Sequence, residues 1–154
     1  MATIDYALRN DVDPTLIGDS GMDIYFDATG KIATVTGIEK LNLQIQKCIL
    51  TTRSTENLYP KYGGDATIFI GQKHDPVLIV SYLTQAIIEA IQYLVDIQTS
   101  QQAINDFDAD ELIHSIQSID INPLVGYEKT GFEVMIQVNT KAGNENTTYV
   151  QVAS

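Results

Sequence analysis

Asp106, Asp108 and Asp110 occupy alternate positions, the spacing of the first ligands in a calcium loop. Such a loop also needs glycine at its sixth position, for a sharp turn, and glutamate at its twelfth, for bidentate closure. Those positions hold Glu111 and Gln117. The run reads better as an acidic helix start, because carboxylates favour the positive end of the helix dipole. His74 and His114 have no cysteine or histidine at ligand spacing, which argues against zinc. No metal or other cofactor is expected. Glu56 and Asp65 flank a Tyr-Pro-Lys-Tyr-Gly corner and could place two carboxyl groups across a sugar bond, as glycoside hydrolysis requires. With 20 acidic residues in the chain, chance alone supplies such pairs. The patterns G-x-S-x-G, G-x-x-x-x-G-K-[ST] and G-x-G-x-x-G are all missing. Cys48, the single cysteine, falls on the apolar side of a helical pattern and reads as a buried, inert thiol.

The elements that position these residues belong to one domain. A chain of 154 residues, 44% of them hydrophobic, can bury a core of its own. Nine Lys and Arg stand against 20 Asp and Glu, giving a net charge of -11 and a pI of about 4.3. The basic residues are scattered, so phosphate-backbone binding is not expected, and neither is a nucleic-acid partner. The acidity suits solubility, or docking onto basic surfaces of other proteins. A single cysteine rules out a disulfide within the chain. The first residues, MATIDYALRNDVD, lack the basic and apolar regions of a signal peptide. The most apolar stretch, 76–97, is interrupted by Ser81, Gln85, Glu89, Gln92 and Asp96, so no membrane span is expected.

Residues 1–21 are polar and turn-rich and read as an arm that lies on this domain or on a neighbour. The compact domain is 22–154. Residues 23–27 and 32–35 form β-type runs around a turn at 27–31, where Gly30 can take positive φ, so a hairpin is expected. Thr36 and Glu39 have the spacing of a capping box. The helix they would start carries Ile38, Leu41, Ile45, Cys48 and Ile49 at spacings of three and four. A polar loop, 51–64, ends in the Tyr-Pro-Lys-Tyr-Gly-Gly corner, and 65–71 is a short apolar turn or strand. Asp75 and Pro76 are N-cap and first residue of a long helix running to about Ile97. Its stripe is Ile79, Leu83, Ile87, Ala90, Leu94 and Ile97. Asp108 and Glu111 open a shorter helix over 109–117. Beyond it, Ile119 and Ile121, then Phe132, Val134, Ile136 and Val138, then Thr148, Val150 and Val152 alternate with polar neighbours as strands do. The fold class is α+β: an N-terminal hairpin, two main helices and a C-terminal antiparallel sheet.

One family shares this order of parts. Asp27 and Gly30 in the hairpin turn, Gly37, Gln44 in the helix, Leu50-Thr51-Thr52, Arg53, Glu56, Pro60, Tyr62 and Gly63 follow in turn. Ala86-Ile87 and Ala90-Ile91 then lie in the long helix. Across 21–98 the chain resembles the baseplate wedge and sheath-initiator proteins of contractile phage tails, which have relatives in type VI secretion systems. It departs from them where Ser54-Thr55, rather than a glycine, precedes Glu56. It departs again at 94–98, which replaces the Glu-Pro-Arg signature ending the family's long helix.

The resemblance implies a structural protein and not an enzyme. It implies a place in the virion baseplate after assembly in the bacterial cytoplasm, in several copies around the tail axis. The implied partners are baseplate wedge proteins, the tail sheath protein and tail tube or hub proteins, with no membrane partner. Sheath strands would pair with the terminal sheet at Phe132, Val134, Ile136, Val138, Tyr149, Val150, Gln151 and Val152; the equal alternative is that the 1–21 arm covers this edge. Wedge or tube contacts would fall to Arg53, Glu56, Tyr59, Pro60, Tyr62, Asp96 and Gln98. Read from its residues alone, the loop corner serves chiefly to turn the chain between helices. Removing 147–154 is expected to leave a foldable domain that cannot seed sheath. Two alternatives stand beside this reading: a peptidoglycan hydrolase with Glu56 as its acid, and an unrelated adaptor of a tail or secretion apparatus.

Overall fold

The computed structural model describes residues 5–6, 8–9, 23–24, 34–55, 57, 59–69, 76–104, 106–123 and 131–153. Two short antiparallel pairs come first. Strand β1 (Asp5–Tyr6) pairs with β4 (Thr34–Val35), and β2 (Leu8–Arg9) pairs with β3 (Asp23–Ile24). The turn expected at 27–31 lies outside the described residues.

Helix α1 (Gly37–Leu50) buries Leu41, Ile45, Cys48 and Ile49, as its spacing predicts, and also Leu43, which lies outside the predicted stripe. Ile38, expected in that stripe, is exposed. The capping box does not form. Thr36 has the extended backbone of an N-cap, but its side chain makes no capping bond. The orphan amide of the first turn is met from far along the chain: Gly37 N–H donates to Glu111 Oε1 at 3.0 Å. Gly37 has φ of 63°, a left-handed conformation that glycine adopts without strain.

Helix α2 (Pro76–Gln101) starts at the predicted proline and runs past Ile97 to Gln101. Ile79, Leu83, Ile87, Ala90, Ile91 and Leu94 enter one core with Leu41, Ile45 and Ile49 of α1. By length and composition, Leu78–Gln101 passes for a membrane span, so its polar interruptions do not exclude one as the sequence suggested. A core helix passes the same test, and here one side of α2 packs against α1 and the sheet.

The helix expected over 109–117 is not there. A single 3-10 turn, Ala109–Glu111, leads straight into strand β5 (Ile113–Pro123). The misreading has a physical cause. Ile113, Ile116 and Ile119 recur every three residues, as on a helix. In the strand, register shifts between Ile113 and Ser115 and between Ile116 and Ser118 each insert an extra residue. The two irregularities keep Ile116, Ile119 and Ile121 packed against the core.

Strands β6 (Gly131–Thr140) and β7 (Glu145–Ala153) complete an antiparallel sheet of order β5-β6-β7. Val134, Ile136, Val138, Val150 and Val152 face the helices and are buried. The two helices and this three-stranded antiparallel sheet form an α+β arrangement.

The 51–64 loop closes on itself beneath α2. Gly64 N–H donates to Thr51 O at 2.9 Å, and Ser54 N–H donates to Pro60 O at 3.0 Å. Gly63 has φ of 96°, and a Cβ there would overlap the Thr51 carbonyl oxygen. The segment that follows forms a 3-10 turn, Ala66–Phe69.

Candidate functional site

The sheet has two outer strands and one inner strand, which divides the predicted strand-pairing residues. Phe132, Val134, Ile136 and Val138 lie on β6, which is flanked on both sides. Their backbone groups are used within the sheet, so they cannot accept a further strand, and the expectation for these four is corrected. Tyr149, Val150, Gln151 and Val152 lie on β7, and among the described residues no strand pairs with its outer side.

The hydrogen-bond pattern decides which groups of β7 face outward. Thr140 N–H donates to Asn144 O at 2.9 Å, so these residues form a bonded pair at the turn. Bonded and non-bonded pairs alternate along an antiparallel ladder. The β6–β7 register runs without a shift, so Asn146, Thr148, Val150 and Val152 bond to β6. Thr147, Tyr149 and Gln151 therefore turn their N–H and C=O groups away from the sheet. An independent contact agrees: Gln46 of α1 donates its side-chain N–H to Tyr149 O at 3.1 Å.

Helix α1 runs beside this edge. Asn42 Oδ1 accepts from Asn146 Nδ2 at 2.6 Å and from Thr148 Oγ1 at 2.7 Å. Asn42 and Gln46 carry no local signal of this role, since the helical pattern marks them only as lying off the apolar stripe. Across the opposite face of the sheet, the register sets Asp120, Met135 and Tyr149 in one row and Asn122, Glu133 and Gln151 in the next. Tyr149 is 58% exposed. Val150 and Val152 point the other way, into the core. Removing 147–154 would therefore strip buried side chains from the domain, contrary to the expectation that a foldable remainder would be left.

The residues expected to meet wedge or tube proteins do not form one surface. Gln98 is 4% exposed, and its amide is used inside the fold. Its Nε2 donates to Gln44 Oε1 at 3.0 Å and to Glu111 O at 2.9 Å, and its Oε1 accepts from Ile113 N–H at 3.1 Å. Burial and saturation make Gln98 a brace between α2 and the start of β5, not a contact for a partner. Tyr62 packs against the core, while Tyr59, Pro60 and Asp96 are exposed. Arg53 reaches Glu89 Oε2 at 3.1 Å and Asp65 Oδ2 at 3.9 Å. The Gln85 amide and the Arg53 guanidinium hold the Glu89 carboxyl below its usual range. Asp96 lies two turns, about 10 Å, along α2 from Glu89. Glu56 lies outside the described residues.

The acidic run is built into the fold. Asp110 Oδ1 accepts from Asn144 Nδ2 at 2.7 Å and so ties the β6–β7 turn to the 3-10 segment. Among the described residues, no cluster of His, Cys, Asp and Glu could hold a metal ion. Cys48 is buried, 3.3 Å from Ala90 O, and burial pushes its thiol up to about 11.

Compared with protein-family models and with curated proteins, the chain matches none.

Proposed function

We propose that this protein is a structural component of a contractile-tail baseplate, which joins the wedge core and starts the sheath by accepting a strand at β7. The observation that supports the reading is the outer edge of β7. Tyr149 and its neighbours Thr147 and Gln151 direct backbone donors and acceptors outward, and a strand presenting such a row is a template for β-augmentation. The strand carries no proline, and its one charged residue is Glu145. The order of motifs shared with the sheath-initiator proteins supplies the identity of the partner, a strand of the first sheath ring. The role is assembly and not catalysis, and its place is the tail baseplate of a virion.

The test is co-expression with wedge and sheath proteins of a contractile tail, followed by affinity purification and electron microscopy. The unaltered protein should copurify with them and seed sheath. Thr147→Pro removes one outward N–H and leaves the β6 ladder intact, because proline is tolerated on an edge strand where its nitrogen faces out. That variant should fold but seed no sheath. Sheath growth at the unaltered rate from Thr147→Pro would refute docking at β7. Failure of the unaltered protein to bind any tail protein would refute the reading as a whole.

A further inference from the structure

Strands β5, β6 and β7 contain no lysine or arginine, and their acids are Asp120, Glu133 and Glu145. Asp120 and Glu133 share the face that carries Tyr149, as the register requires. Glu145 lies on β7 itself, with the parity of Thr147, Tyr149 and Gln151, and is exposed. A strand added to β7 alternates its side chains between this acidic face and the side lined by Asn42 and Gln46 of α1. Opposite charges on facing positions of neighbouring strands attract, and like charges repel.

We infer that the strand accepted by β7 carries lysine or arginine at the positions facing the Tyr149 side, and that Gln46 is the internal placeholder it displaces. The inference rests on the strand-docking reading and adds the partner's chemistry. Gln46 Nε2 holds the Tyr149 carbonyl at 3.1 Å, where the backbone N–H of an incoming strand would donate. Until that strand arrives, the amide occupies one acceptor of an otherwise regular edge and so limits pairing between copies. Docking trades this side-chain bond for a backbone bond.

The probes are three nine-residue peptides in which threonine alternates with lysine, with serine or with glutamate. Binding is read from the backbone amide shifts of the isotope-labelled protein. The lysine peptide should shift Thr147, Tyr149 and Gln151 and leave Thr148 and Val150 nearly in place. It should bind about fivefold more tightly than the serine peptide, and the glutamate peptide should be weakest. Glu145→Gln should lower affinity for the lysine peptide by about threefold. Gln46→Ala should raise it by about three- to fivefold, the worth of one neutral hydrogen bond released. Equal binding of the lysine and serine peptides, unchanged binding to Thr147→Pro, or no shift at Thr147, Tyr149 and Gln151 would overturn the inference. If sheath seeding is still lost in Thr147→Pro while the lysine peptide shows no preference, strand docking survives and the charge rule falls. If tail proteins ignore the unaltered protein while the peptides behave as stated, the charge rule survives and the tail assignment falls.

Discussion

Glu111 caps a helix from which it is 74 residues distant in sequence. One carboxylate oxygen accepts from Gly37 N–H at 3.0 Å, and the other lies 2.6 Å from Lys40 Nζ. The Lys40 and Glu111 side chains are each 3% exposed, and the Lys40 ammonium also sits over the Phe107 ring, 5.1 Å from its centre. A single carboxylate thus meets an orphan helix amide and neutralises a buried cation.

Glu111→Gln should destabilise the domain by about 3–5 kcal/mol, because it leaves the Lys40 charge buried without its counter-ion. Adding Lys40→Met should restore much of that loss, since the pair is then replaced by groups that need no ionic partner. Urea midpoints of the two single variants and the double variant measure the coupling. Additive losses would mean that the two side chains do not act as a pair.

Gln98→Leu keeps the approximate size of the side chain but leaves the Ile113 N–H and the Glu111 carbonyl without their bonds. The expected cost is about 2–4 kcal/mol, the sum of two buried groups left unsatisfied. Exposed Asp96 provides the contrast: Asp96→Asn should change stability by less than about 0.5 kcal/mol. Thermal unfolding of both variants decides whether Gln98 is a brace.

Gly37 and Gly63 both have positive φ but should respond differently to alanine. At Gly37 a Cβ meets nothing within 4 Å, so only backbone strain of about 1 kcal/mol is added. At Gly63 strain and overlap with the Thr51 carbonyl combine, for a loss of roughly 3–5 kcal/mol. Equal losses in denaturant melts would contradict the close approach of the loop to Thr51.

The Cys48 thiol should resist alkylation in the folded protein at pH 8 and react promptly in denaturant. Its raised pKa also has a stability consequence with a definite sign. The unfolded thiol loses its proton near pH 9, while the folded one holds it to about 11. Stability from this group is therefore intact below pH 9 and falls between pH 9 and about 11. Cys48→Ala should flatten that part of the stability-against-pH curve, at the cost of a small cavity. An unchanged slope would assign the loss to other groups.

Proline scanning along β7 should follow the ladder. Val150→Pro removes a bond to β6 and should unfold the domain or nearly so, whereas Gln151→Pro, whose N–H points outward, should leave a folded protein. Circular dichroism separates the two outcomes. Reversed behaviour would mean that the outward set is Asn146, Thr148, Val150 and Val152.

Parts of this architecture that rest on local rules were legible in the sequence. Pro76 marked the start of α2, and its three-and-four spacing marked the buried stripe. Strict alternation marked β6 and β7. Alternation also marked the second half of β5, at Ile119 and Ile121, but its first half was not legible, because two register irregularities gave Ile113 and Ile116 a helical spacing. The cap of α1 was misassigned to Glu39 because sequence reading favours the nearest acid, and nothing local points to Glu111. The candidate edge was half legible. Alternation showed which side chains of β7 turn inward, but not that β6 lies in the middle, nor that Gln46 reaches the Tyr149 carbonyl. Gln98 looked like a surface residue at the end of a helix, and only the return of the chain through Glu111 and Ile113 buries it.

The distance along the chain between α1 and the groups that complete it constrains folding during synthesis. Its cap arrives 74 residues later, and the side chains that bond Asn42 arrive 104 and 106 residues later. A ribosome that has released both helices has therefore released an α1 with an open first turn and no strand beside it. Loop closure over such spans is slow compared with closing a helix or a hairpin. Through that interval the apolar side of the two helices stays uncovered, until the sheet closes over it.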